Sequence, residues 1–560
     1  MTLELEPTHE KCFVFRILDA CDADLLEPKL QRPPPDLRWH GINKDFGGSL
    51  RHCGKMRVVK VYWVMVSLPL AVHTAAQVRA LDRHAIDDLG IPGYMLMTTA
   101  GEAALHALRS CWPAAQKVVI LCGPGNNGGD GYVLARLARV QRLDVQVVPL
   151  SDPRELQGDA LRAWQDFSTA GGRTLEWSSD CLEGAELVVD AIFGTGLSRR
   201  LSEEMISRIA RVNECRAPIF ALDIPSGLDA DTGQIHGESI HAERTLSFLG
   251  LKLGFYLGEG PNCTGVVMFD DLDLPKDAFT QVPASAMRIG EDALARLLPR
   301  RRRTTHKGQQ GHVLIIGGGI GMSGAARLAG EAALRVGAGL VTVATHPDNV
   351  AAVVTQRPEL ICKGVRQAED LGPLISRADV IAVGPGLGQD EWAQALVSSV
   401  FASDLPMIID ADALNLLAQS PCRGEHRILT PHPGEAGRLL GISNAQVQSD
   451  RLGAARAIVD RYGGTVVLKG AGTLVIERDQ LPSICDQGNP GMASPGMGDV
   501  LTGVIAGIAA QTSQLANAAR AGVLVHAMAG DMAARRGERG MLASDLFNYL
   551  PTCVNPTQHI

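Results

Sequence analysis

The chain reads as two doubly wound α/β domains in series. Short apolar runs alternate with amphipathic stretches, there are 61 glycines in 560 residues, and polar or glycine-rich turns stand where the apolar runs end. A chain of this length exceeds what one hydrophobic core serves, so at least two domains are required. Only 4% of the residues are aromatic and the formal net charge is -8, which excludes a base-stacking surface and a general polyanion field, and with them nucleic acid as a partner. The cysteines are scattered from Cys12 to Cys553 with no Cys-x-x-Cys pair, which excludes a disulfide framework and structural zinc and fits a reducing cytoplasm. The most apolar N-terminal stretch, Val58 to Val72, holds Lys60 and Pro69 and is shorter than the roughly 20 residues of a membrane span. No membrane partner is expected.

Residues 1–70 have mixed composition, a run of prolines at 33–35 and no sustained period, and read as an accessory or disordered extension. Met65, just ahead of the first regular element, is a candidate start of translation. From there Val78, Leu81, Ala85, Ile86 and Leu89 fall on one helical face, opened by a Thr74 cap and closed by Gly90. Buried parallel strands are predicted at 117–122, 145–150, 186–192 and 218–222, with helices near 129–141, 155–169 and 202–213 between them. This first domain spans residues 71–275. Pro275, Pro283 and Pro299, then the basic run Arg300 to Arg303, break the rhythm, so 276–304 reads as a linker. The second domain, 305–550, has predicted strands at 312–316, 340–344, 379–383, 407–410, 426–429, 465–469 and 473–476, then a glycine loop and two long helices. No period of 20–50 residues repeats, so the two domains differ.

The second domain is organised around Gly488 to Gly503, a glycine-rich loop running into an apolar helix expected from Val500, with one carboxylate, Asp499, at the junction. Gly496 and Gly498 leave backbone N–H groups uncovered at the positive end of that helix, as an anion cradle requires. Asp499 is then either a base facing the phosphate or an N-terminal cap. Gly384-Pro-Gly386-Leu-Gly388, Asp410-Ala-Asp412, Thr430-Pro-His432-Pro-Gly434-Glu435 and Lys469-Gly470-Ala471-Gly472-Thr473 follow successive strands. They bring glycines, acids and one lysine to the same edge, with Asp412 and His432 as candidate contacts to substrate or metal-bound water.

Two stretches, Gly123-Pro-Gly125-Asn-Asn-Gly128 and Gly319-Ile-Gly321-Met-Ser-Gly324, satisfy Gly-x-Gly-x-x-Gly after a strand. The next strands close with Leu150-Ser151 and Thr345-His346 instead of a ribose-binding acid, so redox use of a bound nicotinamide cofactor is not expected. Asn126, Asn127, Gly128, Gly129, Asp130 and Gly131 instead form a polar loop ahead of a helix expected from Tyr132. Asp190 with the Gly194 loop, and Asp223 to Ser226, end two further strands on the same rim. Oxygens on Asn127, Asp190 and Ser226 suit a weakly bound cation, and Asp130 and Asp223 are acid/base candidates.

These motifs carry a family resemblance. Residues 74–270 resemble the Rossmann-like NAD(P)H-hydrate epimerase domain in Asn126 to Gly131, in Gly194-Thr-Gly-Leu-Ser-Arg-Arg200 and in Asp223-Ile-Pro-Ser-Gly227. Residues 288–550 resemble the ADP-dependent NAD(P)H-hydrate dehydratases of ribokinase-like fold in His306-Lys-Gly308, Met322 to Ala326, Pro431 to Glu435, Lys469 to Thr473, and Asn489 through Asp499. The resemblance implies that the substrates are NADHX and NADPHX, in which the nicotinamide ring has taken up water at C6. It implies R/S epimerisation in the first domain, with a potassium ion at Asn127, Asp190 and Ser226. Substrate is expected on Asn126, Asn127, Gly128, Gly129, Asp130, Gly194, Thr195, Gly196, Leu197, Ser198, Arg199, Arg200 and Asp223. In the second domain the S hydrate is expected on Ala325, Gly386, His432 and Asp499, and ADP with magnesium on Lys469, Gly470, Ala471, Gly472, Thr473 and Gly498. Asp223 and Asp499 are the expected catalytic residues, and a homo-oligomer, with a tetramer favoured, is the expected assembly. Pro495 stands where the family usually has glycine and removes one amide upstream of the phosphate-facing residues. The alternative, suggested by the Gly-x-Gly-Asp ending, is an ATP-dependent kinase of a small hydroxymethyl compound fused to a nucleotide-binding module.

Overall fold

The computed structural model describes residues 68–555 apart from 179, 356 and 513, together with two short paired strands, Leu5–Pro7 and Phe13–Phe15. Most of the expected N-terminal extension, including Met65, lies outside the described residues.

The first sheet has six parallel strands in the spatial order Val266–Asp270, Arg244–Phe248, Ile219–Leu222, Leu187–Ala191, Lys117–Cys122 and Asp144–Pro149. Helices cover both faces, which is why its central strands are apolar runs such as Ile-Phe-Ala-Leu at 219–222 with every residue buried. Chain order reverses between Lys117–Cys122 and Leu187–Ala191, so the polar turns after these two strands face each other at the crevice where open α/β sheets take ligands.

Two expectations are corrected here. The helix after the first central strand runs Asn126–Val140, so the Asn-Asn-Gly-Gly-Asp-Gly segment forms its first turns instead of a loop before Tyr132. Its glycines provide clearance: a Cβ on Gly128 would lie 2.1 Å from the Gly123 carbonyl oxygen, and one on Gly131 would lie 2.7 Å from Ala191 Cβ. The first helix, Ala75–Arg83, has the expected Thr74 cap, but a π-helical turn over His84–Asp88 changes the register and leaves Leu89 41% exposed.

The second sheet has twelve strands. Seven are parallel, in the order Ile361–Gly364, Leu340–Thr345, His312–Ile316, Val380–Val383, Met407–Ile409, Arg427–Leu429 and Thr465–Leu468, with the reversal between the third and fourth. Thr473–Glu477 and Ser483–Cys485 follow antiparallel. Ala286–Arg288, Ala71–His73 and Leu251–Lys252 then continue the same sheet. Residues 276–304 are therefore structured, with helices Ala278–Gln281 and Asp292–Leu297 on either side of that strand. Arg288 fixes the junction by pairing with Asp486 at 2.6 Å and donating to the Leu68 and Pro69 carbonyls. The large sheet thus ends in strands drawn from the first domain's sequence.

The helix expected from Val500 is Met497–Ala509, with Gly496 at φ +88° in the cap position. Asp499 consequently lies in the first helical turn and is not the cap. Gly503 lets this helix pack tightly on Ser323–Arg335, since a Cβ there would meet the Ala329 carbonyl oxygen at 2.0 Å.

Candidate active sites

In the first domain the crevice is a cavity of about 860 Å³. Asn126, Asn127, Asp130, Gly194 through Arg200, and Asp223 all line it, as the sequence suggests. Gly128 and Gly129 do not; they face inward, with Gly129 against Met97. Asp190 is fully buried beneath the rim and accepts from the Ser226 amide (2.7 Å), the Ser226 hydroxyl (2.6 Å) and the Ile192 amide (3.2 Å). Burial nevertheless pushes its carboxyl up to about 6. Asn127 donates to the Phe193 and Leu222 carbonyls, while its own Oδ1 is buried and accepts no hydrogen bond. Such an orphaned oxygen is costly. Beside a carboxylate and a hydroxyl, it is a donor set that a hard monovalent cation would satisfy, although the described residues contain no cluster of His, Cys, Asp and Glu suited to a metal ion.

Asp223 stands at φ +64°, a left-handed conformation few non-glycine residues adopt. Its Oδ2 accepts from the Thr195 amide at 3.2 Å, and its Oδ1 accepts from Lys252 Nζ. Asp82 also lines the cavity, and its carboxyl is raised by burial first and by the charges of Asp223 and Asp159 next. Asp130 is held well above the usual carboxylate range, again by burial, then by Asp223 and Asp82. Arg79 lines the same cavity and donates to the Thr195 carbonyl at 2.9 Å. Lys252, Asp82 and Arg79 escape sequence reading. Lys252 alone leaves a trace, as a single cation inside the apolar run Leu249 to Phe255.

In the second domain the sheet edge gathers two groups. Gly386 sits where a Cβ would lie 2.9 Å from Ala325 Cβ, which puts these two predicted residues in contact. Across from them Lys469 Nζ donates to Asp410 Oδ1 at 2.7 Å and lies 3.7 Å from Glu435 Oε2. Asp410 is 1% exposed and also accepts from the hydroxyls of Thr430 and Thr502, each at 2.8 Å, so its charge is fully solvated by protein. Burial alone pulls the Lys469 ammonium down, but Asp410 and Glu435 outweigh it and its pKa stands above the ordinary value. Gly498 packs beside it, a Cβ there falling 3.3 Å from Lys469 Nζ. Asp499 is pushed up to about 7, by burial first and then by Asp410, with Lys469 opposing.

His432 is a helix cap: its Nδ1 accepts from the amides of Gly434 (3.0 Å) and Glu435 (3.3 Å), and Glu435 answers by accepting from the His432 amide. The ring is half-exposed, and its Nε2 lies 3.4 Å from Glu435 Oε1. Asp412 accepts from the Gly388 amide at 2.9 Å and so ties the glycine turn to the acidic strand end. In the Lys469 to Thr473 hairpin, Gly470 and Ala471 are exposed, while Gly472 is buried against Tyr256, whose carbonyl oxygen would meet a Cβ at 1.7 Å. Arg451, 5% exposed, steadies this hairpin from beneath by donating to the carbonyls of Leu468, Lys469 and Gly472. It too escapes sequence reading.

Two α/β units, one with a cation-suited rim and one with a part-buried carboxylate at the start of a glycine-led helix, define a two-site nucleotide-handling protein. Family models match both units: YjeF-related protein N-terminus over residues 93–254, and NAD(P)H-hydrate dehydratase over residues 313–552. The chain is 47% identical to the bifunctional NAD(P)H-hydrate repair enzyme Nnr of Coxiella burnetii, over 86% of this chain and 98% of that one. It is 45% identical to the enzyme of the same description from Escherichia coli, over 88% and 95% of the two chains. A solved structure of the ADP/ATP-dependent NAD(P)H-hydrate dehydratase from Bacillus subtilis aligns with 48% of this chain and 96% of its own, at 29% identity and a TM-score of 0.43. The chain belongs to the bifunctional NAD(P)H-hydrate repair enzymes. Its N-terminal unit is the epimerase domain and its C-terminal unit the ribokinase-like dehydratase domain.

Proposed function

We propose that this chain repairs hydrated NADH and NADPH, the first domain interconverting the R and S hydrates and the second dehydrating the S hydrate at the expense of ADP, which leaves as AMP and phosphate. The observation that carries this reading is Asp499, a part-buried carboxyl raised to about 7 in the first turn of the helix Met497–Ala509. Hydroxide is a poor leaving group, so the C6 hydroxyl must be esterified before it departs. Asp499 takes the hydroxyl proton as the oxygen bonds to the transferred phosphorus, the ring-nitrogen electrons then expel phosphate, and loss of a proton from C5 of the resulting iminium restores the reduced ring. The amides at Gly496 and Gly498 face the transferring group, Lys469 and the Gly470 to Thr473 hairpin hold the nucleotide, and Ala325, Gly386 and His432 hold the hydrate. Magnesium, bound with the nucleotide, would supply charge against its phosphates.

In the first domain Asp223 accepts the proton of the C6 hydroxyl as the C6–N1 bond opens to an aldehyde, and the same carboxyl returns that proton to N1. Reclosure on the other carbonyl face gives the opposite epimer with no atom gained or lost. Asn126, Asp130 and the Gly194 to Arg200 segment hold the dinucleotide. Asn127, Asp190 and Ser226 would hold potassium, which supplies positive charge at the rim.

Among the described residues no helix is long and apolar enough to cross a membrane. All nine cysteines there are free thiols, which favours a reducing cytoplasm. The assembly proposed with this reading is a homotetramer, which light scattering would test.

The deciding experiment mixes R and S NADH hydrate with protein, ADP, magnesium and potassium and follows the near-ultraviolet absorbance of the reduced ring. Full recovery supports both activities, and recovery of the S fraction alone leaves only the dehydratase. No recovery, with phosphorylation of a small alcohol instead, would replace the reading with the kinase.

A further inference from the structure

Lys252 is fully buried, and its ammonium has three fixed acceptors: Asp223 Oδ1, Ser247 Oγ at 2.8 Å and the Phe248 carbonyl at 3.1 Å. A lysine ammonium has three hydrogens, so this donor set is spent and Lys252 has none left for substrate. Its backbone is pinned as well, because Leu251–Lys252 pairs with Ala71–His73 at the end of the large sheet. The partner carboxylate is fixed on both sides, by Lys252 on Oδ1 and by the Thr195 amide on Oδ2.

The surroundings give this pair a task. Asp82 and Asp130 line the same cavity, with Asp159 and Arg83 close to Asp82, and the charge of Asp223 helps to raise both carboxyls. Carboxylates crowded in a partly buried site cannot all ionise cheaply. Of these three it is Asp223 that holds an ion pair. His73, buried beside Lys252, is pulled down to about 4 by burial and then by the lysine charge, so it stays neutral and does not compete.

We infer that Lys252 is the positioning residue of the epimerase site, fixing the orientation of the Asp223 carboxylate through the ion pair at Oδ1. The inference rests on Asp223 as the proton carrier.

The test uses the full chain and follows conversion of isolated S NADH hydrate to R by proton NMR, without ADP and against the spontaneous rate. Lys252→Met is expected to lower kcat about 100-fold with KM nearly unchanged, and to move the acid limb of the pH profile upward by about one unit or more. Lys252→Arg keeps the charge, and so is expected to lose kcat while leaving the limb in place. The double variant Asp223→Asn/Lys252→Met is expected to be no slower than Asp223→Asn, since the lysine acts through that carboxylate. A limb unmoved in Lys252→Met, a limb displaced in Lys252→Arg, or additive losses in the double variant would each overturn the inference. Dehydration of the S hydrate by the same proteins reports their folding, and if Lys252→Met fails it, the Arg variant decides alone. An Asp223→Asn protein that epimerises at the normal rate would instead remove the proton-carrier reading beneath.

Discussion

Asp499 gives the sharpest quantitative expectation. Its carboxyl is raised to about 7 because burial and the charge of Asp410 outweigh the attraction of Lys469. A carboxyl raised in this way is protonated below that value and competent as a base only above it, so dehydratase activity should climb as pH rises through about 7. With activity proportional to the ionised fraction, about a tenth remains one unit below the midpoint and about nine-tenths is reached one unit above it. An ordinary carboxylate would put the same limb near 4. Asp499→Asn keeps the shape of the helix turn but removes the base, and should cost about 10²- to 10⁴-fold in kcat, or roughly 3–5 kcal/mol of transition-state stabilisation. The assay is the initial rate of absorbance recovery from purified S hydrate, with saturating ADP and magnesium, across the pH range that brackets the limb. Nucleotide binding by Asp499→Asn, measured by calorimetry, should be retained. A limb that persists unchanged in Asp499→Asn, or a wild-type limb near 4, would refute the assignment.

Three further outcomes follow from the same geometry. Potassium, but not lithium, should raise the thermal midpoint of the protein, and Asn127→Ala, which deletes the orphaned Oδ1, should abolish that difference. Gly472→Ala places a methyl at φ +62° against the Tyr256 carbonyl oxygen and should cost roughly 2–4 kcal/mol in denaturant unfolding, a loss under about 0.5 kcal/mol being incompatible with the contact. Arg451→Met releases three hairpin carbonyls and should raise the KM for ADP by about tenfold while leaving the KM for the hydrate in place; equal changes in both would show that the arginine does not act on the nucleotide hairpin.

What the sequence reveals and what it hides have different physical origins. The predicted runs at 117–122 and 312–316 coincide with observed strands because a strand buried on both faces must be apolar throughout, a local property. Ala71–His73, Leu251–Lys252 and Ala286–Arg288 are too short to show a period, and only pairing with distant partners makes them strands. That is why an expected linker proved to be a structural joint. Helix starts were read late at Asn126 and Met497 because glycine ordinarily signals a turn, whereas here it clears space for a helix against a sheet or a neighbouring helix. Asn126, Asp130, Asp223 and the Gly194 to Arg200 segment, which line the cavity, were legible because strand-end acids and glycines mark ligand edges. Lys252 was not, since it meets Asp223 across 29 positions of chain through the fold alone.

Each site contains a buried lysine–aspartate pair, and the two pairs are used in opposite ways. In the epimerase cavity Lys252 donates to the proposed proton carrier itself, so Asp223 is held in one orientation, while its neighbours Asp82 and Asp130 are raised by burial first. In the dehydratase site Lys469 donates to Asp410, which two threonine hydroxyls also stabilise, and the proposed base is left outside that ion pair. Asp499 is then raised to about 7, by burial first and by Asp410 next, with Lys469 opposing. The difference matches the tasks. Epimerisation passes one proton out and back, which rewards a carboxylate held in a single orientation. Phosphoryl transfer needs a base strong enough to strip a hydroxyl yet ionised at working pH, which rewards a carboxyl raised to about that pH. Exchanging the arrangements would impair both: a lysine aimed at Asp499 would weaken it as a base, and an unpaired Asp223 would lose the contact that fixes its orientation.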